Sequence, residues 1–113
     1  MDSIVFKKAT QGDVAAVDAL TKKAFAAYAK EIRKQDSVAA LKETADEIAA
    51  DILGKHVYLC MLDGQPAGAV RFEVLDQGIA YLSRLAIDPD VQSIGVGGLL
   101  LEKVRQELSL IHI

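Results

Sequence analysis

The chain has no tryptophan, one cysteine and two prolines in 113 residues. A lone thiol forms no internal disulfide, so a small disulfide-stapled scaffold is excluded and a reducing, cytoplasmic setting is expected. Cys60 sits in the apolar run 57–61. It reads as a buried structural thiol, with a reactive thiol as the alternative. Prolines at 66 and 89 only, with no Pro/Ser-rich stretch, repeat or low-complexity tract, leave no linker to divide the chain. Its length then corresponds to one domain. Positive charge is also scarce: the net charge is −3 and no Lys/Arg cluster exceeds a dipeptide. Nucleic acid is therefore excluded as a main partner. Met1-Asp2-Ser3 lacks the basic start and apolar core of a signal peptide. The apolar runs fall short of a membrane span, so no membrane partner is expected. Glu43, Asp46, Glu47 and Asp51 have no His or Cys at ligand spacing, so no metal site is expected.

What is present is a globular balance, 51% hydrophobic and 26% charged. Ser3–Lys8 alternates around Ile4 and Phe6 and reads as a strand. Thr10 and Asp13 form a capping-box-like start. The next helix carries Val14, Val17, Leu20, Ala24, Phe25 and Tyr28 on one broad side. Lys22, Lys23, Lys30, Arg33 and Lys34 lie late in this region. They read as a solvated helix end, or alternatively as a substrate-steering patch. Asp36 or Ser37 is placed to cap a second helix. Val38, Leu41, Ala45, Ile48 and Ile52 step by helical intervals and predict one amphipathic helix ending near Gly54.

Beyond it, His56–Leu62 reads as a strand buried on both faces. Asp63-Gly64 is a strong hairpin signal. Ala67–Leu75 alternates Val70, Phe72 and Val74 with Ala69, Arg71 and Glu73. Asp76-Gln77-Gly78 turns the chain into Tyr81–Ile87, a strand that stops at Asp88-Pro89. From Gly95 a helix starts, with Val96, Leu99, Leu100, Val104 and Leu108 at helical spacing.

Between that strand and that helix lies the glycine-rich turn Gln92-Ser93-Ile94-Gly95-Val96-Gly97. Such a turn presents unpaired backbone N–H groups at the positive end of a helix dipole, which suits a phosphate or pyrophosphate. It is not a Walker A loop, because Gly97-Gly98 is followed by Leu99. It is not a dinucleotide fingerprint either, because Leu100 stands where a third glycine is needed.

The pattern Q/R-x-x-G-x-G/A after a Leu-Ala-Ile-Asp-Pro run resembles the acyl-CoA-binding segment of the GCN5-related N-acetyltransferase (GNAT) family. The order of elements is similar over nearly the whole chain. The resemblance implies an α/β, acyl-CoA N-acyltransferase-like fold, truncated: a strand, two helices, a three-stranded antiparallel section, then the glycine-rich loop and a helix. Residues 1–108 correspond to the N-terminal part of the domain. Residues 109–113 read as a tail of foreign or truncated origin. The missing later strands would leave Tyr81–Ile87 unpaired on one side, from which a homodimer is expected.

The implied activity is transfer of acetyl from acetyl-CoA to a primary amine, small molecule or peptide. The alternative is a non-catalytic acyl-CoA-binding or assembly module. By resemblance, the backbone of Leu85, Ala86 and Ile87 would hold the pantetheine arm, and Leu85 would also serve catalysis through its backbone. Gln92, Ser93, Ile94, Gly95, Val96 and Gly97 would hold the pyrophosphate. No general base is evident at Tyr81, where some members place a glutamate. Glu73 is the substitute candidate, with an ion pair to Arg71 or Arg84 as the competing role.

Overall fold

A computed structural model describes residues 4–28, 39–75 and 79–111. Strand β1 (Ile4–Lys8) leads into a 3-10 turn, Gln11–Asp13, and then helix α1 (Val14–Tyr28). The Thr10 N–H donates to the Asp13 carboxylate at 2.8 Å, which closes the expected capping box. That N–H, with burial working against it and Lys7 assisting, holds the Asp13 carboxyl below its usual range. Helix α2 (Ala45–Gly54), strands β2 (His56–Leu62), β3 (Gln65–Val74) and β4 (Ala80–Ile87), a 3-10 turn (Pro89–Ile94) and helix α3 (Val96–Ile111) complete the order.

The second helix departs from expectation. A single helix from Val38 to Ile52 is replaced by helical residues 39–41, a break, and α2 beginning at Ala45. Thr44 caps the second piece. Its hydroxyl accepts from the Glu47 N–H at 3.2 Å, and Glu47 accepts from the Thr44 N–H at 2.8 Å. Asp36 and Ser37, the expected caps, lie outside the described residues.

The break frees Glu43 to reach Arg71 in the middle of β3. Arg71 is 1% exposed. Its two terminal nitrogens meet Glu43 at 2.6 and 2.7 Å, Asp51 at 3.0 Å and Thr21 at 3.1 Å. One guanidinium thereby joins α1, the helix break, α2 and the sheet. Burial opposes its charge, but Glu43 and then Asp51 more than compensate, and its pKa stays above the ordinary value.

The sheet runs β1-β2-β3-β4, antiparallel throughout. Asp63 and Gly64 close the β2–β3 hairpin with φ of 51° and 82°, the two positive values that a type I′ turn needs. On one face Val57, Leu59, Ala69 and Ala86 pack under Val17, Leu20 and Ala24 of α1 and Ile48 of α2. On the other, Tyr58, Cys60, Val70, Phe72 and Ile87 pack under Val96, Leu100 and Val104 of α3. Cys60 is fully buried and burial pushes its thiol up, so it is the structural thiol of the two readings.

Gly68 sets how closely α3 approaches the sheet. A Cβ there would lie 2.8 Å from both Val96 Cγ1 and Leu100 Cδ1, and 3.1 Å from Ile87 Cδ1. Val96 is β-branched and fully buried, so it has no alternative rotamer to move into. We expect Gly68→Ala to cost about 1–3 kcal/mol by overpacking. Urea unfolding checks this; an unchanged midpoint would show that α3 lifts away freely.

Candidate functional site

The turn after β4 is built by Asp88. Its N–H donates to the Ala67 carbonyl at 2.9 Å and its carboxylate accepts from the Asp90 N–H at 2.9 Å. Pro89 takes the first helical position, where a missing N–H costs nothing. Lys23 of α1 pairs with Asp88 and with Asp90, each at 3.0 Å. Burial opposes ionisation of Asp88, yet the Asp90 N–H and Lys23 hold its carboxyl below the usual range. Lys23, half-exposed on α1, thus ion-pairs with this turn. Lys22 pairs with Asp18 at 2.6 Å and donates to the Glu43 carbonyl at 2.8 Å. Lys30, Arg33 and Lys34 lie outside the described residues.

The 3-10 turn ends on Gly95, at φ 87° and ψ 23°. Only glycine takes this left-handed conformation without strain. The Gly95 N–H donates back to Gln92, and its carbonyl accepts from the Leu99 N–H at 3.2 Å. Gly95 therefore stands immediately before α3, and the N–H groups of Val96, Gly97 and Gly98 have no acceptor within the helix. Val96 is the buried anchor; Gln92, Ile94 and Gly95 are exposed. The main chain of Ser93 lies within this turn. A Cβ on Gly95 would meet nothing within 4 Å, so the space above the helix end is open. Gly97 faces Ile87, which ties the helix start to the end of β4.

β4 has β3 on one side only, and its other edge is unpaired among the described residues. The ladder bond from Asp88 to Ala67 fixes which groups face that edge. Bonded and non-bonded residues alternate in an antiparallel pair. Ala86 and Arg84 therefore bond towards β3, and the N–H and C=O of Leu85 and Ile87 point outward. The ladder slips at Ser83: Arg71 pairs with Arg84 and Phe72 with Leu82, so Ser83 is an extra residue on β4. Such a bulge twists a strand and re-aims its neighbouring side chains. No feature of the local sequence marks it.

Beside the bulge a groove of about 410 Å³ opens between β4 and α1, lined by Phe25, Ala39, Tyr81, Ser83, Arg84 and Leu85. Arg84 donates to the Ser83 carbonyl at 3.0 Å, while its Nε is buried without a partner among the described residues. Glu73 pairs with neither Arg71 nor Arg84. It stands opposite Tyr81, is 45% exposed, and lies 3.7 Å from Lys55. Tyr58 belongs to the other face, where burial and the neighbouring Glu107 push its hydroxyl up to about 12.

A family model for the GNAT acetyltransferases matches residues 16–109. The chain belongs to that family. Among solved structures it is similar to the PaiA N-acetyltransferase of Thermoplasma acidophilum in complex with coenzyme A, at TM-score 0.84 and 16% identity over 98% of this chain and 75% of that one. It is also similar to a GNAT family acetyltransferase of Brucella melitensis in complex with acetyl-CoA, at TM-score 0.74 and 20% identity over 97% and 71%. A third is the ribosomal-protein-S18-alanine N-acetyltransferase of Escherichia coli, at TM-score 0.68 and 21% identity over 96% and 59%. At these identities the likeness establishes the fold. The search of curated proteins gave no match.

Proposed function

We propose that this chain binds acetyl-CoA and transfers its acetyl group to a primary amine. The observation that carries the reading is a track along the edge of β4 that is unpaired among the described residues. It starts at the N–H groups of Gly97 and Gly98, which have no acceptor within the helix and lie at its accessible end, and continues through the outward main chain of Ile87 and Leu85 to the groove at Ser83. A helix N-terminus alone contributes roughly 0.3–1 kcal/mol towards an anion. Recognition therefore needs the rest of the track. Gln92, Ser93, Ile94, Gly95, Val96 and Gly97 would surround the pyrophosphate, mostly through main-chain N–H groups. Ile87 and Leu85 would pair with the amides of the pantetheine arm as a neighbouring strand would. Ala86, whose amide turns towards β3, would contribute the wall rather than a bond.

The reaction would form a C–N bond at the thioester carbonyl and break the C–S bond. The amine must first lose a proton, since a lysine-type amine has a pKa of about 10.4 in water. Glu73, in register with Tyr81 at the groove, is the proposed base, provided that it leaves Lys55. The outward Leu85 N–H would stabilise the oxyanion that develops as the carbonyl is attacked. The departing thiolate takes up a proton and leaves as the free thiol.

Titration calorimetry with CoA, ATP and NAD tests the donor, and thiol release across a panel of amines tests the transfer. We expect CoA to bind and the other two not to. Preference for ATP or NAD would overturn the reading. CoA binding without thiol release from any amine would favour the binding-module alternative.

A further inference from the structure

We propose that the acceptor amine carries a carboxylate, and that Arg84 receives it; this rests on the acetyl-transfer reading. Arg84 and Arg71 stand directly opposite each other across β3 and β4, in a bonded pair of the ladder. Their side chains share the α1 face, yet they are answered very differently. Arg71 is saturated by Glu43, Asp51 and Thr21. Arg84 has one backbone carbonyl, and no carboxylate lies within 4.0 Å of it among the described residues. Glu73, on the same face, is taken up by Lys55. Among the described residues the groove thus holds a permanent cation without a counter-charge, and a buried Nε–H without an acceptor.

Such an arrangement is costly when empty of anions and specific when filled. A carboxylate matches it better than other groups. Its two oxygens fit the planar fork of a guanidinium, and its single charge balances a single cation. A phosphate would bring close to two negative charges to a groove with one arginine. The volume of about 410 Å³ suits a compound of amino-acid size rather than a folded partner. Arg84 neighbours Leu85, so a carboxylate held there leaves the amine of a short amino acid beside the outward N–H of Leu85.

The test compares matched pairs: L-alanine with L-alaninamide, and γ-aminobutyrate with its amide, with phosphoethanolamine as a third anion. Each is titrated calorimetrically into the CoA-loaded protein. A hydrogen bond to a charged group is worth about 1.5–3 kcal/mol, which converts to about 10–100-fold in Kd. At least one acid should bind tighter than its amide by that factor. Arg84→Met should erase the difference, and Arg84→Lys should keep part of it. Equal binding of acid and amide, tighter phosphoethanolamine, or an intact preference in Arg84→Met would each overturn the assignment. The wild-type comparison stands even if a variant folds poorly. Titration with CoA alone separates the two readings: failure there overturns the acetyl-donor site itself, whereas CoA binding without acid preference overturns only the role of Arg84.

Discussion

Arg71→Met lowers the stability of the fold by about 3–5 kcal/mol, the range for breaking one side of a buried ion pair. The reason lies in what is left behind. Asp51 keeps a partner in Lys55 at 3.4 Å, but Glu43, whose side chain is 8% exposed, loses both of its short bonds. Its carboxylate is then a nearly buried charge that has lost its ion-pair partner among the described residues, with Lys22 held on the Glu43 main-chain carbonyl instead. Against a total of about 5–15 kcal/mol for a domain, the loss is severe. Urea unfolding measures it. The double variant Arg71→Met, Glu43→Leu should recover a good part, because removing both charges removes the uncompensated one. A single variant that unfolds at the wild-type midpoint would mean that water reaches Glu43, and that the network adds nothing to stability.

That network also explains where sequence reading succeeds and where it stops. His56–Leu62, the Asp63-Gly64 hairpin and the strand Tyr81–Ile87 are legible because their signals are local: apolar runs of strand length, a turn that demands positive φ, and an Asp-Pro stop. The helix over 38–52 has an equally clean local pattern, and it is broken all the same. Its apolar spacing carries no information about Arg71, which lies 28 residues after Glu43 and draws that residue out of helical register. The Thr44–Glu47 capping box is a local signal that competes with the periodicity, and it prevails. The pairing of Lys23 is illegible for the same reason as that of Glu43: its partners Asp88 and Asp90 are more than 60 residues away.

The candidate site divides along the same line. The glycine-rich turn is legible because backbone conformation there is dictated by glycine, and Gly95 does take the left-handed conformation. The groove is not. Its shape depends on a bulge at Ser83 that arises from pairing with β3, and its charge depends on Arg84 being left without the carboxylates that Arg71 takes. A residue's lack of partners is a property of the whole fold and has no sequence signature.

Gly95→Glu should weaken CoA binding by about 100-fold or more, equivalent to roughly 2.7 kcal/mol. Two effects add. Any side chain at φ 87° pays about 1–2 kcal/mol for the left-handed conformation, and relieving it shifts the backbone N–H groups beside it. The carboxylate also competes for the anion site. The space beyond the Gly95 Cβ is open, so the new side chain can swing over the Gly97 and Gly98 N–H groups and take the place of a pyrophosphate oxygen. This makes the effect larger on binding than on stability, since a carboxylate at a helix N-terminus is itself favourable. Gly95→Ala separates the two contributions. It carries the strain without the charge, and should bind CoA only about tenfold more weakly while melting at a similar or lower temperature. Calorimetric titration with CoA, alongside thermal unfolding of each variant, reads both quantities. Equal CoA affinity in wild type and Gly95→Glu would mean that the pyrophosphate does not sit on this turn, and the proposed track along β4 would have to be abandoned.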